Sequence, residues 1–334
     1  MTLYIDSVRD ALDRCLASDP TVHVIGEDIL DPYGGAFKAT KGLSTKYPER
    51  LHTTPISESA IVGVATGMAM RGLRPVAEIM FGDFMTLCVD QIVNSAAKFP
   101  LMYGEKVKVP TVIRTPVGGA RGYGPTHSQS LEKLFFGVPG RDVVAPSRLH
   151  NPGDLLEKVI LKSEVPTLFV EDKGDYPQHL YPDAFSRLSV TEIEGKGKLP
   201  TVIAANFPEN AVPDVAIVGY GGAASLSAAV LDELADEEIH GVLIAPACIN
   251  DIETLDKAIG QIPRNVPVLI AEQGTLGFGW AGEVMARMLE SGAPPKQVVR
   301  LAARPVAIPA ARHLEADVIL NEAAIKNAIF EVLS

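Results

Sequence analysis

Residues 53–84 read TTPISESAIVGVATGMAMRGLRPVAEIMFGDF, and the order of their parts decides the fold. Ser57 has the chemistry of a helix N-cap, and Glu58 falls in the first turn of an apolar helix expected over 58–71, where its carboxylate complements the helix dipole. The β-rich run Pro75 to Phe81 follows the helix directly and is expected as a strand. A helix feeding a strand that is apolar throughout is the unit of an α/β fold with a buried parallel sheet. Outward from this stretch the alternation continues, with strands expected at Val22 to Ile25, Val109 to Arg114, Val143 to Ala145 and Thr167 to Val170. Helical patterns lie near 4–17, 83–98 and 151–163; in the first, Ile5, Val8, Leu12, Cys15 and Leu16 recur at helical spacing.

Between about Asp172 and Asp214, Pro, Gly and charge replace this periodicity, as in KGDYPQHLYPDAFSR and EGKGKLPTVIAANFPENAVP. Strands then resume at Val215–Val218, Val242–Ala245, Val266–Ala271 and Val298–Leu301, interleaved with helices near 223–236, 252–261, 279–292 and 322–333. The expected organisation is an α/β domain over 1–190, a linker over 191–210 and a second, smaller α/β domain over 211–334.

Across the 334 residues, acidic side chains outnumber basic ones 41 to 30 for a formal charge of −11, and no run of Lys and Arg makes a basic footprint. No nucleic-acid partner is expected. The run Ser59 to Met70 is too short to span a bilayer, so no membrane partner is expected either. The start, MTLYIDSVRDAL, lacks the charged and apolar regions of a signal peptide, and Cys15, Cys88 and Cys248 lie far apart in apolar stretches without metal-ligand spacing. They read as buried, reduced thiols in a cytoplasmic protein.

Three motifs carry chemistry. Gly219-Tyr220-Gly221-Gly222-Ala223-Ala224 spells a dinucleotide turn, but the next strand ends Val242-Leu243-Ile244-Ala245-Pro246-Ala247, without the acid that holds a ribose, so a tight strand-to-helix turn is the better reading. Glu58, beside the apolar run Ala60 to Ala65, is either a helix-dipole partner or a poorly solvated carboxylate able to exchange protons near neutrality, and its spacing alone favours the former. His127 stands in the glycine-rich loop Gly122-Tyr123-Gly124-Pro125-Thr126-His127-Ser128-Gln129-Ser130, where a catalytic group and a surface turn are equally good readings. Phe81 and Phe84, taken alone, are core aromatics.

Taken together, VIGEDILDPYGGAFKATKGL (24–43), the opening stretch, DQIVNSAAK (90–98), GYGPTHSQSLE (122–132), PGRDVVAPS (139–147) and IPAARHLE (308–315) make the chain resemble the beta subunit of the thiamine-diphosphate-dependent 2-oxo acid dehydrogenases over nearly its whole length. The resemblance implies a pyrimidine-binding α/β domain with a parallel sheet, followed by a transketolase C-terminal-like α/β domain. It implies oxidative decarboxylation of pyruvate or a branched 2-oxo acid, with acyl transfer to lipoyl. Residue by residue, it makes Glu58 the carboxylate that hydrogen-bonds the aminopyrimidine and starts cofactor activation, with Ile56 beside it among the cofactor-binding positions. Phe84 becomes the aromatic packed on that ring, His127 the proton donor and acceptor near the reacting centre, and Glu27 an acid that relays protons close to the cofactor.

Gly-Asp-Gly, which in this superfamily holds the diphosphate and Mg2+, occurs nowhere in the chain, so no metal ligand is assigned to it. An alpha-type subunit bearing Gly-Asp-Gly is therefore implied, in an α2β2 heterotetramer, with a lipoyl-bearing dihydrolipoamide acyltransferase as a further partner. The chain departs from the family at Leu87, at Met102-Tyr103-Gly104-Glu105, at Lys162-Ser163-Glu164-Val165-Pro166 and over Leu243 to Ile249. The alternatives are a subunit of an acetoin dehydrogenase, a ketol transferase, or a non-catalytic partner that completes an oligomer.

Overall fold

Apolar β-branched runs buried on both faces build the first sheet. The computed structural model describes residues 2–208, 211–292 and 294–334. Its first strands are β1 (Val22–Gly26), β2 (Leu51–Thr53), β3 (Arg74–Glu78), β4 (Val112–Val117), β5 (Asp142–Val144) and β6 (Thr167–Asp172). They pair in the order β2-β1-β3-β4-β6-β5, every ladder parallel. All the side chains of β4, β5 and β6 are buried, as a sheet covered by helices on both faces requires. The helix Tyr4–Ser18 packs on one face through Tyr4, Val8, Leu12 and Cys15, and Asn151 caps the helix Pro152–Lys162 that covers it.

The second sheet comprises β7 (Ser189–Glu194), β8 (Pro200–Ala205), β9 (Val215–Gly219), β10 (Gly241–Pro246), β11 (Val268–Thr275) and β12 (Val298–Ala303), in the order β12-β11-β9-β10-β8-β7. Its first four members are parallel; β8 and β7 join antiparallel. The stretch 191–210, expected as a linker, thus holds most of β7 and all of β8. The physical reason for the difference is that β7 is an edge strand, largely exposed and spelled Ser-Val-Thr-Glu-Ile-Glu, so it shows no apolar run. The short β2 went unforeseen for the same want of signal.

The 83–98 region also differs from its expected single helix. It is a 3₁₀ turn over Gly82–Cys88 followed by a π-helical turn over Gln91–Ala96, a departure that clusters at functional sites. One core cluster draws Ile25, Ile61, Ile113 and Val170 from the first half and Val218, Ile270 and Trp280 from the second, so the two halves share packing. Among the described residues, no helix is long and apolar enough to cross a membrane.

Candidate active site

In a parallel sheet the space beyond the carboxyl ends of the strands is where side chains from several loops converge. Glu27 directly follows β1, and Glu58 opens the helix Glu58–Met70. Ser57 occupies the N-cap, but its hydroxyl makes no capping bond; its backbone N–H donates instead to the Glu27 carboxylate. Both acids are buried, Glu58 at 6% exposure and Glu27 at 8%, and Glu27 Oε1 has no hydrogen-bond partner. Burial, and then repulsion from Glu58, hold the Glu27 carboxyl above its ordinary range. Cys88 lies beside the pair, its thiol pushed up to about 12 by burial and by both carboxylates. Ile56, two residues before Glu58, is 84% exposed, and the nearby Leu87 is also exposed.

The Gly82–Cys88 turn leads from these acids to the histidine: Cys88 feels Glu58 and Glu27, while Phe84 touches His127 edge-on at 5.2 Å between ring centroids. Phe81 lies at 4.8 Å from His127 and also meets Phe84, Phe37 and Tyr123. His127 is half-buried, with Nδ1 at 3.0 Å from the Thr126 hydroxyl. Glu58, Glu27, Phe84 and His127 are thereby gathered around one turn, with Ile56 on the exposed margin.

Sequence reasoning left Phe81 in the core and passed over Lys173, Asp83 and Glu315. Lys173 is fully buried, donates to the His127 carbonyl at 3.0 Å and stands 5.3 Å from the Phe81 ring centroid. Asp83 accepts from the backbone N–H and side-chain amide of Gln129 in the histidine loop. The one signal available beforehand was a lysine immediately after an apolar strand, in Thr167-Leu168-Phe169-Val170-Glu171-Asp172-Lys173.

The glycine turn after β9 is buried, and a Cβ on Gly222 would fall 2.6 Å from Asp172 and 2.5 Å from Gln273. Its glycine admits a neighbouring carboxylate rather than a pyrophosphate, in keeping with the tight-turn reading. Cys15, Cys88 and Cys248 are free, buried thiols. Among the described residues, no group of three or more His, Cys, Asp and Glu assembles that would hold a metal ion.

The chain matches the model of the transketolase pyrimidine-binding domain over residues 3–178. It is 33% identical over 318 residues to a mitochondrial pyruvate dehydrogenase E1 component subunit beta-1 of Arabidopsis thaliana, covering 93% of this chain and 83% of that one. An acetoin:2,6-dichlorophenolindophenol oxidoreductase subunit beta of Cupriavidus necator is 32% identical over 299 residues, 85% of this chain and 82% of the relative. A 2-oxoisovalerate dehydrogenase subunit beta of Bacillus subtilis is 41% identical over 174 residues, 52% of this chain and 53% of the relative. A solved structure described as a split-gene transketolase, an inactive beta4 tetramer, superposes with a TM-score of 0.71 at 21% identity, over 98% of this chain and 97% of that one, a likeness of fold.

Proposed function

The chain belongs to the transketolase-type family of thiamine-diphosphate-dependent dehydrogenase beta subunits, and from that premise we propose that it completes the active site of a 2-oxo acid dehydrogenase acting on pyruvate or a branched 2-oxo acid. The observation that carries the reading is the buried pair Glu58 and Glu27, set one short turn away from the Phe84–His127 contact.

These residues suit the aminopyrimidine end of thiamine diphosphate: a carboxylate shielded from water, a second acid with an unpartnered oxygen, and a flat aromatic. Gly-Asp-Gly is missing from the sequence, and the described residues assemble no metal-binding cluster, so an alpha-type subunit carrying Gly-Asp-Gly would hold the diphosphate and Mg2+ in an α2β2 heterotetramer. Bound thiamine diphosphate supplies the electron sink for decarboxylation.

Glu58, fixed and buried at the head of its helix, would hydrogen-bond the aminopyrimidine and hold the proton it exchanges. Glu27, biased toward its protonated form, supplies or takes up a proton next to it. Phe84 keeps water from the ring face. His127, with Nδ1 turned to Thr126, would have Nε2 free to donate or accept a proton as an acyl group passes to a lipoyl arm on a dihydrolipoamide acyltransferase. A cytoplasmic setting agrees with three buried, unpaired thiols.

The test is affinity purification of the tagged chain, identification of what it retains, and assay of the assembled enzyme with pyruvate, branched 2-oxo acids and acetoin. The expected result is an equimolar Gly-Asp-Gly partner and thiamine-diphosphate-dependent turnover of one 2-oxo acid, with His127→Ala lowering acyl transfer to lipoyl about 10²-fold or more. Turnover of acetoin alone would assign the chain to that branch, and recovery of a self-assembled chain without a partner would overturn the reading.

A further inference from the structure

The loop that carries His127 borders empty space on one side. A cavity of about 420 Å³ opens between the two halves of the chain, lined by Gly118, Gly119, Ser128 and Ser130 of the loop and by Asp172 and Glu315 across from them. Elsewhere the loop packs closely on the second half, where a Cβ on Gly119 would fall 3.3 Å from Ile319 and one on Gly122 would fall 3.0 Å from Ala310, and polar ties add to that contact. Lys173 Nζ donates to the His127 carbonyl at 3.0 Å, and Arg121 donates to the Lys173 carbonyl at 2.5 Å. From the second half of the chain, Glu315 Oε2 accepts from the Gly122 N–H at 2.8 Å. Asp83, at the catalytic turn, secures Gln129.

Lys173 is fully buried and Glu315 is 1% exposed, so neither is an ordinary surface charge. Bonds from a charged group to a neutral backbone atom in such a place are stronger than neutral ones. Burial lowers the Lys173 ammonium to about 8, and Asp172 and Asp83 oppose that shift. Keeping an ammonium here at all has a desolvation cost, for which core packing offers no reason.

We propose that Lys173 and Glu315 are positioning residues that clamp the histidine loop, one from each half of the chain, so that the place of His127 against Phe81 and Phe84 depends on the two halves staying docked. The consequence for catalysis rests on the reading that His127 works on the acyl group; the clamp itself does not. Separation of the halves would release Gly122 and, with it, the loop that ends at His127. The cavity beside it gives the freed loop somewhere to go.

Arg121 makes the loop its own reporter, because trypsin cuts after arginine only when the local backbone opens. The full chain is digested as wild type, Lys173→Met, Glu315→Ala and Glu315→Gln, with fragments identified by mass and folding followed by circular dichroism. The expected result is cleavage after Arg121 about tenfold faster in Lys173→Met and Glu315→Ala, equivalent to about 1.4 kcal/mol of lost restraint. Glu315→Gln keeps a carbonyl acceptor for Gly122 and is expected to stay near wild type. Wild-type cleavage in both disrupting variants overturns the clamp, as does a rise at all lysines and arginines alike. Faster cleavage after Arg121 with unchanged lipoyl acylation in the assembled enzyme supports the clamp and removes His127 from the chemistry instead.

Discussion

Two clusters of buried charge stand at the same edge of the first sheet and are built on opposite principles. In one, Arg114 on β4 lies between Glu78 of β3, at 2.5 Å, and Glu171 of β6, at 2.9 Å, with the Tyr176 hydroxyl donating to Glu171 at 2.9 Å. In the other, Glu27 lies close enough to Glu58 to be repelled by it, and Glu27 leaves an oxygen unpartnered. Burial alone would lower the Arg114 guanidinium, yet Glu171 and Glu78 outweigh it and raise its pKa. Around Glu27, burial and the neighbouring charge act in the same direction. The first cluster compensates its charge and serves the fold. The second keeps two acids together in a dry place, which folding alone does not favour.

Substitutions break the comparison most sharply at Glu58. Glu58→Gln is expected to cut turnover of the assembled enzyme about 10²- to 10⁴-fold while leaving the melting temperature equal or higher, since a repelling charge is removed. Retained turnover, or a large fall in melting temperature, would move Glu58 into the structural class. Arg114→Met should do the reverse, costing about 3–5 kcal/mol in urea unfolding because Glu78 and Glu171 lose their cation. An unchanged unfolding midpoint would show that the compensation is not needed.

The smallest effect is expected at Glu27, and it depends on pH. Its folded pKa lies above the unfolded value, so the native state binds the proton more tightly and loses relative stability as pH rises through that window. Glu27→Gln should therefore match wild type at about pH 4 and exceed it in unfolding free energy at about pH 8. Equal stability at both would mean that neither burial nor Glu58 raises the Glu27 carboxyl. The double variant with Glu58→Gln should gain less than the sum of the two, because each relieves the same repulsion.

Legibility followed the strength of the local pattern. The strands β1, β3, β4, β5, β6, β9, β10 and β11 showed as apolar runs because most of their side chains are buried, β12 showed as an apolar run although it is a half-buried edge strand, and the helices Tyr4–Ser18 and Pro152–Lys162 showed as periodic stripes. β7 and β8 were hidden: one is a polar edge strand, and the other lies in a stretch rich in Pro and Gly. The break of 83–98 into two unusual turns was hidden as well, since a helical apolar spacing does not distinguish α from 3₁₀ or π winding.

At the site, Glu58, Glu27, Ile56, Phe84 and His127 received roles through the resemblance, while Phe81, Lys173, Asp83 and Glu315 received none. What makes those four matter is whom they touch: Glu315 reaches Gly122 across 193 positions of sequence, and Lys173 reaches His127 across 46.

By itself, then, the sequence determined an α/β chain in two halves with its apolar strands in order and a resemblance that singled out a few acids and one histidine. Those follow from hydrophobic periodicity and short motifs, which are local quantities. Only the tertiary structure decided that two carboxylates share one dry site, that Gly222 makes room for Asp172, and that charges from both halves hold the histidine loop, because electrostatics and close approach depend on distances in space that sequence separation does not encode.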